Sequence, residues 1–348
     1  MTATDPVSRA IQALADRRHL TSDEAEAAFA HMMRGEATPV QMSALLMGLR
    51  SRGESASEVV GAVRALRKAM LRLSAPDGKP LVDTCGTGGG TVTTFNISTA
   101  AAFVAAGAGA RVAKHGNRSF TSQSGSADVL EALGVVIPLD AAAAGALLER
   151  CDMTFLFAPL FHPAMRHVGP IRRELGIGTI MNILGPLANP AGVTRQVVGV
   201  ADPARAQLIA EALPDLGCEW ALVVYARVGM DEIAPSGETD VWEVKSGKVT
   251  QWTLEPKKLG LEGGSTRSLA GGTPAENAAM VRDILAGKDK GARRTAVLLN
   301  AAAALLVAGL AGDWPAALKR AADAIDSGAA QGVLDKLKAE SRKLNVQL

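Results

Sequence analysis

Aromatic side chains are scarce in this 348-residue chain, 3% of the total with a single tyrosine, so its core is not built around rings. Ala, Val, Leu and Ile must fill it, and small side chains imply closely packed helices. Cysteine is nearly absent as well. Cys85, Cys151 and Cys218 are odd in number and far apart, which fits neither a disulfide framework nor a zinc pair and points to a reducing compartment. Neither sign of charge prevails: 37 basic and 35 acidic side chains leave a formal net charge of +2, without the basic field that drives nucleic-acid binding. No apolar run reaches the length of a membrane span, and Met1 to Ala10 carries Asp5, Pro6 and Arg9 where a signal peptide needs an apolar core. The expectation is a cytoplasmic protein with no membrane and no nucleic-acid partner.

What the chain does have is two kinds of pattern. Residues 1–73 read as helix throughout, with capping boxes at Thr21 to Glu24 and Ser55 to Glu58 and a further start at Thr38-Pro39, so a small bundle of four short helices is expected. Ser74, Ala75, Pro76, Asp77 and Gly78 break the period. Residues 80–348 then form a second unit, in which Leu81–Cys85, Arg111–Ala113, Val135–Ile137, Thr154–Phe157, Gln196–Val200 and Trp220–Tyr225 read as strands between helical stretches. Such alternation predicts an α/β domain with a mainly parallel central sheet. Val241–Trp252 reads as a hairpin interrupted at Ser246 and Gly247, and the chain from Pro274 onward is again helical. A helical segment near residues 165–190 is expected to join the small domain.

Five segments carry chemistry. Asp83-Thr84-Cys85-Gly86-Thr87-Gly88-Gly89-Gly90 is a glycine-rich turn directly after a strand, where N–H groups can approach a phosphate closely; it also fits a simple tight turn. Thr91 stands where a dinucleotide fingerprint needs glycine, and the Walker lysine is missing. Asn96-Ile97-Ser98-Thr99 opens an alanine-rich helix, so these residues suit caps, anion ligands or both. Lys114-His115-Gly116-Asn117-Arg118-Ser119-Phe120-Thr121-Ser122 crowds two cations, an imidazole, an amide and three hydroxyls onto the same sheet edge, where parallel sheets bind ligands.

The fourth segment, His162 to Glu174, is basic and leads to Asn182 and the turn Gly185-Pro186-Leu187-Ala188-Asn189-Pro190. His162 and His167 beside four potential cations make a poor metal site, whereas an arginine here could fork onto a carboxylate. The fifth, Gly229-Met230-Asp231-Glu232, places two acids after a strand. They read either as partners of a helix N-terminus or, if phosphates bind opposite, as magnesium ligands.

Taken in order, these segments resemble the anthranilate phosphoribosyltransferase family over nearly the whole chain. The resemblance rests on GTGG, FNIST at Phe95–Thr99, KHGNR at Lys114–Arg118, GSADVLEALG at Gly125–Gly134, HPAMRHV, NILGPL at Asn182–Leu187, the Asp231–Glu232 pair and GGTPAENAA at Gly271–Ala279. It implies a helical domain hinged to an α/β domain, a cleft between them, and a homodimer formed through the small domains. It implies transfer of a phosphoribosyl group from phosphoribosyl pyrophosphate to anthranilate, with Mg²⁺ as cofactor. On the family's pattern Gly86, Gly88, Gly89, Thr94, Asn96, Ser98, Thr99, Lys114 and Ser126 would bind phosphoribosyl pyrophosphate. Gly86, His115, Asn117, Arg172, Gly185 and Pro186 would hold anthranilate, and Ser98, Asp231 and Glu232 the metal. No obligatory nucleophile or base is implied; Lys114, Asn117 and Arg172 would act by positioning.

The chain departs from that pattern in three places. Gly90 follows GTGG where the family usually has Asp, Gln123 stands where a lysine or arginine often follows KHGNR and its hydroxyls, and Tyr225-Ala226-Arg227-Val228 replaces the first half of HGxDGxDE. All bear on affinity for the pyrophosphate substrate. Competing readings are a pyrimidine nucleoside phosphorylase, disfavoured by the acidic pair and NILGPL, and a non-catalytic relative binding nucleic acid, disfavoured by the near-neutral charge and the intact KHGNR.

Overall fold

A computed structural model describes residues 5–74, 78–119, 123–261 and 263–345. Four helices come first: α1 Pro6–Ala15, α2 Ser22–Met33, α3 Pro39–Arg52 and α4 Ala56–Ala69. Each begins where a side chain can satisfy a free first-turn N–H. Asp5 caps α1, and Thr21, Thr38 and Ser55 form capping boxes with Glu24, Gln41 and Glu58. Glu58 also accepts from the Leu20 N–H (2.8 Å) and from Arg52, so the last cap ties the bundle together from inside.

The α/β part runs β1 Leu81–Gly86, α5 Ile97–Gly107, β2 Arg111–Gly116, α6 Ser126–Leu133, α7 Ala141–Cys151, β3 Met153–Phe157, α8 Ala158–Phe161, α9 Met165–Leu175, α10 Met181–Leu184, β4 Arg195–Gly199, α11 Pro203–Ala212 and β5 Trp220–Ala226. The hairpin β6 Thr239–Lys245 and β7 Lys248–Leu254 precedes α12 Pro274–Leu285, α13 Ala292–Val307, α14 Trp314–Asp326 and α15 Ala329–Asn345. The sheet order is β3-β2-β1-β4-β5-β6-β7, parallel through β5 and antiparallel at the hairpin. The expected α/β class therefore holds. The chain leaves β1 toward β2 and β3 and returns to β4 on the other side of β1, and this reversal opens a crevice at the strand C-termini.

Both faces of the sheet are covered, as a parallel sheet requires. Val82, Val112, Val197, Leu222 and Val224 pack with α5 and α12–α15. The alternate residues Val198, Ala221 and Val223 pack with α10, α11 and the four N-terminal helices in one continuous apolar core. Val168 and Ile171 of α9 and Ile183 and Leu184 of α10 are part of that core, so residues 165–190 pack with the bundle.

One expected strand is not a strand. Val135–Ile137 is buried but irregular. Its backbone is spent elsewhere: Val135 N–H closes the end of α6 on Leu130, Val136 N–H donates to Ser341 Oγ (3.1 Å), and Pro138 has no N–H for a ladder.

Candidate active site

Successive strand residues point to opposite faces, and β2 uses this to serve two sides of one edge. Lys114 turns toward α5, where its ammonium donates to the Thr84 carbonyl and, at 3.3 Å, to Ser98 Oγ. His115 turns to the other face, with Nδ1 3.2 Å from the Gly185 carbonyl. Beneath them Asp83, fully buried on β1, accepts from the His115 N–H (3.2 Å) and from Asn189 Nδ2 (2.8 Å). Burial pushes the Asp83 carboxyl up to about 6 against the pull of Lys114, and burial likewise holds Lys114 below its ordinary value.

On the Lys114 side the glycine-rich turn folds against the acidic pair. Gly88 N–H donates to Asp231 Oδ2 (2.9 Å), Ser98 N–H in the first turn of α5 donates to Glu232 Oε1 (2.9 Å), and Thr94 Oγ1 lies 3.3 Å from Glu232 Oε2. Gly88 and Gly89 take φ of +65° and +86°, the left-handed region that strains any residue with a Cβ. The helix served by the acidic pair is thus α5, more than 130 residues upstream. Asn300 of α13 holds the segment from below: it accepts from Ile233 N–H (3.1 Å) and donates to the Ile233 carbonyl (3.0 Å). Burial, with the charge of Asp231 beside it, pushes Glu232 up to about 8, and burial raises Asp231 too.

Among the described residues no three His, Cys, Asp or Glu side chains group as a metal site. Two carboxylates with the Ser98 hydroxyl nearby nevertheless suit magnesium, which keeps water and substrate phosphates for the rest of its shell. A divalent cation would favour the charged form of Glu232 against its burial and the neighbouring Asp231. The residues present fit that ion.

The His115 side is electrically quiet. A carbonyl only accepts, so His115 Nδ1 carries the hydrogen and its Nε2 is bare. His162 Nε2, 3.2 Å from that atom, is then the donor, leaving His162 Nδ1 buried and without a well-formed hydrogen bond among the described residues. Burial holds both rings neutral, His115 down to about 3 and His162, against a weak pull from the Ala188 backbone, to about 4. Arg172 sits half-buried on α9, its guanidinium making no hydrogen bond or ion pair with a described residue. Burial lowers its pKa.

The structure joins Gly86, Gly88, Thr94, Ser98, Lys114, Asp231 and Glu232 on one side and His115 and Gly185 on the other. Ser126 Oγ donates to the Asn117 carbonyl (3.3 Å), placing those two together at the start of α6. Pro186 is buried, its carbonyl facing Cys85 Sγ. Thr99 is fully buried in α5, its hydroxyl without a partner among the described residues. Arg172 and the Asn117 side chain make no bond to either group. His162 and His167 do not converge: His167 packs against Gly35 while His162 meets His115. Arg118, the cation of KHGNR beside Lys114, is spent on Asp128 and Glu131. Phe120, Thr121 and Ser122 lie outside the described residues. Sequence reasoning assigned no role to Asn189, Asn277 or Asn300; a lone amide inside the apolar run of α13 was the signal for Asn300, because a buried amide must find partners.

Of the departures, Gly90 has a structural reason: a Cβ there would lie 2.8 Å from the Gly229 carbonyl, which also accepts from Val92 N–H (3.3 Å). Arg227 forks onto Asp240 (2.8 and 2.9 Å) and also pairs with Glu238. Gln123 is exposed.

A helical bundle on an α/β domain, with an acidic pair facing a glycine turn and a helix N-terminus, defines a class of glycosyl-transferring enzymes. Residues 78–331 match the glycosyl transferase family α/β domain, and residues 8–70 match the helical bundle domain of the same family. The chain is 49% identical over 329 residues to the anthranilate phosphoribosyltransferase of Herpetosiphon aurantiacus, covering 94% of this chain and 97% of that one. The crystal structure of anthranilate phosphoribosyltransferase from Thermus thermophilus superposes with a TM-score of 0.91 at 41% identity, over 97% of this chain and 100% of that one. The Saccharomyces cerevisiae enzyme in complex with phosphoribosyl pyrophosphate and Mg gives 0.88 at 28% identity, over 97% and 98%. The chain belongs to the anthranilate phosphoribosyltransferase family.

Proposed function

We infer that this enzyme transfers the phosphoribosyl group of phosphoribosyl pyrophosphate to the amine of anthranilate, releasing diphosphate, in tryptophan biosynthesis. The observation that carries the reading is the pair of unlike sides on one sheet edge: half-buried acids, a lysine and backbone N–H groups on one, two neutral imidazoles on the other. The first suits an ion-bridged diphosphate, the second an aromatic acid.

In the reaction the bond from the anomeric carbon to diphosphate breaks, a bond to the amine nitrogen forms, and the amine's proton passes to water. Magnesium, held by Asp231, Glu232 and Ser98, would neutralise charge on the leaving diphosphate. The N–H groups of Gly88 and Ser98 now hold the oxygens of Asp231 and Glu232, and the same donors suit phosphate oxygens once those acids turn to the ion. Lys114, fixed between Thr84 and Ser98, adds a cation beside them. Gly86, Gly89, Thr94, Asn96, Thr99 and Ser126 complete the phosphoribosyl side of the reading. On the acceptor side Arg172 holds the carboxylate, with Asn117, His115 and the Gly185–Pro186 turn around the ring. The aromatic amine attacks through a neutral lone pair, so positioning within the cleft carries the rate and no base of raised strength is needed.

The reading extends to the assembly and the cell: a small domain of residues 1–73 and a larger one of 80–348, a homodimer formed through the small domains, and a cytoplasmic location. Ala44, exposed on α3 in a groove between α1 and α3 that Arg17 and Arg52 also line, gives that interface a point of test. No helix among the described residues is long and apolar enough to cross a membrane. Ala44→Arg should halve the mass in sedimentation. The activity is tested by loss of anthranilate fluorescence on mixing with phosphoribosyl pyrophosphate: consumption that requires Mg²⁺ supports the reading, and none by folded protein at high substrate defeats it.

A further inference from the structure

An asparagine at a helix N-cap ordinarily turns its side chain back onto the N–H groups of the first turn. Asn96 holds the N-cap position of α5 and makes no such bond. Its carboxamide is drawn the other way. Gly272 N–H donates to Asn277 Oδ1 (2.8 Å), Asn277 Nδ2 donates to Asn96 Oδ1 (3.0 Å), and Asn96 Nδ2 donates to the Ser124 carbonyl (3.2 Å). The two ends of this relay are backbone groups whose roles cannot reverse. An N–H at Gly272 requires an oxygen from Asn277, and a C=O at Ser124 requires an amide hydrogen from Asn96; each carboxamide has one orientation that satisfies both ends.

We propose that Asn277, in the first turn of α12 and 2% exposed, is a positioning residue for the phosphoribosyl pyrophosphate site. By holding the Asn96 carboxamide away from α5 it leaves the Ser98 N–H to an oxygen from outside the helix, here Glu232 Oε1 (2.9 Å) and, in the proposed complex, a substrate oxygen. It also leaves one Asn96 amide hydrogen uncommitted among the described residues. The relay ties three segments that converge on this edge: the GGTP turn, the start of α5 and the approach to α6. The GGTPAENAA motif, which the reaction itself leaves without a task, thereby has one. The proposal rests on the reading of Asn96 and the start of α5 as ligands of that substrate.

Asn277→Asp isolates the effect, because a carboxylate keeps the acceptor for Gly272 N–H and loses the donor to Asn96. The KM for phosphoribosyl pyrophosphate should rise about tenfold, the scale of one or two lost hydrogen bonds, with the KM for anthranilate unchanged within about twofold. In the Asn96→Ala background the same substitution should add nothing to that KM. An unchanged KM in Asn277→Asp while Asn96→Ala raises it, or effects that multiply in the double variant, would overturn the proposal and leave the site reading standing. An unchanged KM in Asn96→Ala would overturn the site reading and the proposal with it. Should Asn277→Asp not fold, Asn277→Ala is measured by the same KM comparison and the same double variant.

Discussion

The two sides of the cleft reach readiness by opposite routes. On the Lys114 side the donors next to the acidic pair already have partners: Gly88 and Ser98 N–H groups hold the carboxylates of Asp231 and Glu232, and Lys114 holds Thr84 and Ser98. On the His115 side His162 Nδ1 has no well-formed hydrogen bond among the described residues, and both imidazoles are neutral. One side must exchange internal anions for the substrate's oxygens, and the other presents two uncharged rings. An exchanging site tolerates burial because its charges are never left alone; a waiting site stays stable because it holds so little charge.

The sharpest break of this contrast is at the acidic pair. Glu232→Gln keeps the shape and removes the charge, so kcat should fall by about 10²–10³-fold, the scale of losing one electrostatic stabiliser of the transition state. Thermal stability without magnesium should not fall, since burial already disfavours the Glu232 charge. Loss of activity together with a lowered melting temperature would mean that the pair is a fold element.

Arg172, which the proposed reading gives to the acceptor, tests the other half of the comparison. Arg172→Ala should raise the KM for anthranilate about 10–100-fold, the scale of hydrogen bonds to a charged group, while the KM for phosphoribosyl pyrophosphate stays within about twofold. Equal effects on both substrates would remove the distinction between the two sides.

The imidazole pair gives a pH signature. The folded pKa of His162, about 4, lies below the 6.5 of an unperturbed ring, so between those values the unfolded chain binds more protons. Its neutral form is at no disadvantage above pH 6.5, and stability is lost as pH falls through 6.5 toward 4. At pH 5 the loss from this ring is about 2 kcal/mol, at 1.36 kcal/mol per pH unit. His162→Gln keeps a donor for His115 Nε2 and does not titrate. Urea unfolding at pH 7.5 and pH 5 should therefore show the stability gap between wild type and variant shift by that amount in favour of the variant at the lower pH. A gap independent of pH would mean that His162 is not held neutral.

How far the sequence announced all this follows from the range of each interaction. The starts of α2 and α4 were legible because Thr21 with Glu24 and Ser55 with Glu58 are three residues apart, and a capping box is complete within that span. Val135–Ile137 has the pattern of a strand without being one, because a short apolar run is buried in a strand or in a coil alike, and the Ser341 contact that decides it lies 205 residues away. At the site the glycine turn, the start of α5 and the acidic pair each carried a local signal. Which N–H meets which carboxylate did not, and neither did the parts of Asn277 and Asn300, whose partners are 181 and 67 residues distant. Residue types are local; the hydrogen bonds that give them a task are set by topology.

The smallest expected effect falls on the departure at Gly90, which the contrast makes instructive. The family usually carries Asp after GTGG, so restoring it looks like an improvement. In this chain a Cβ at residue 90 would meet the Gly229 carbonyl at 2.8 Å, and that carbonyl belongs to the turn whose far end places Asp231 against Gly88. The Gly229 carbonyl also accepts from the Val92 N–H (3.3 Å), a bond that a retreat of the turn would stretch. An added carboxylate would also stand near Asp231, whose Oδ1 lies 3.6 Å from the Cβ position. Gly90→Asp should therefore raise the KM for phosphoribosyl pyrophosphate about two- to fivefold, a cost of about 0.5–1 kcal/mol, and shift the Mg²⁺ dependence, with the KM for anthranilate unaltered. Gly90→Ala separates the two causes: an effect as large as that of aspartate assigns it to the Cβ, and a smaller one assigns the rest to charge. A lower KM in Gly90→Asp would show that the turn yields, and that the exchanging side is less tightly built than its hydrogen bonds imply.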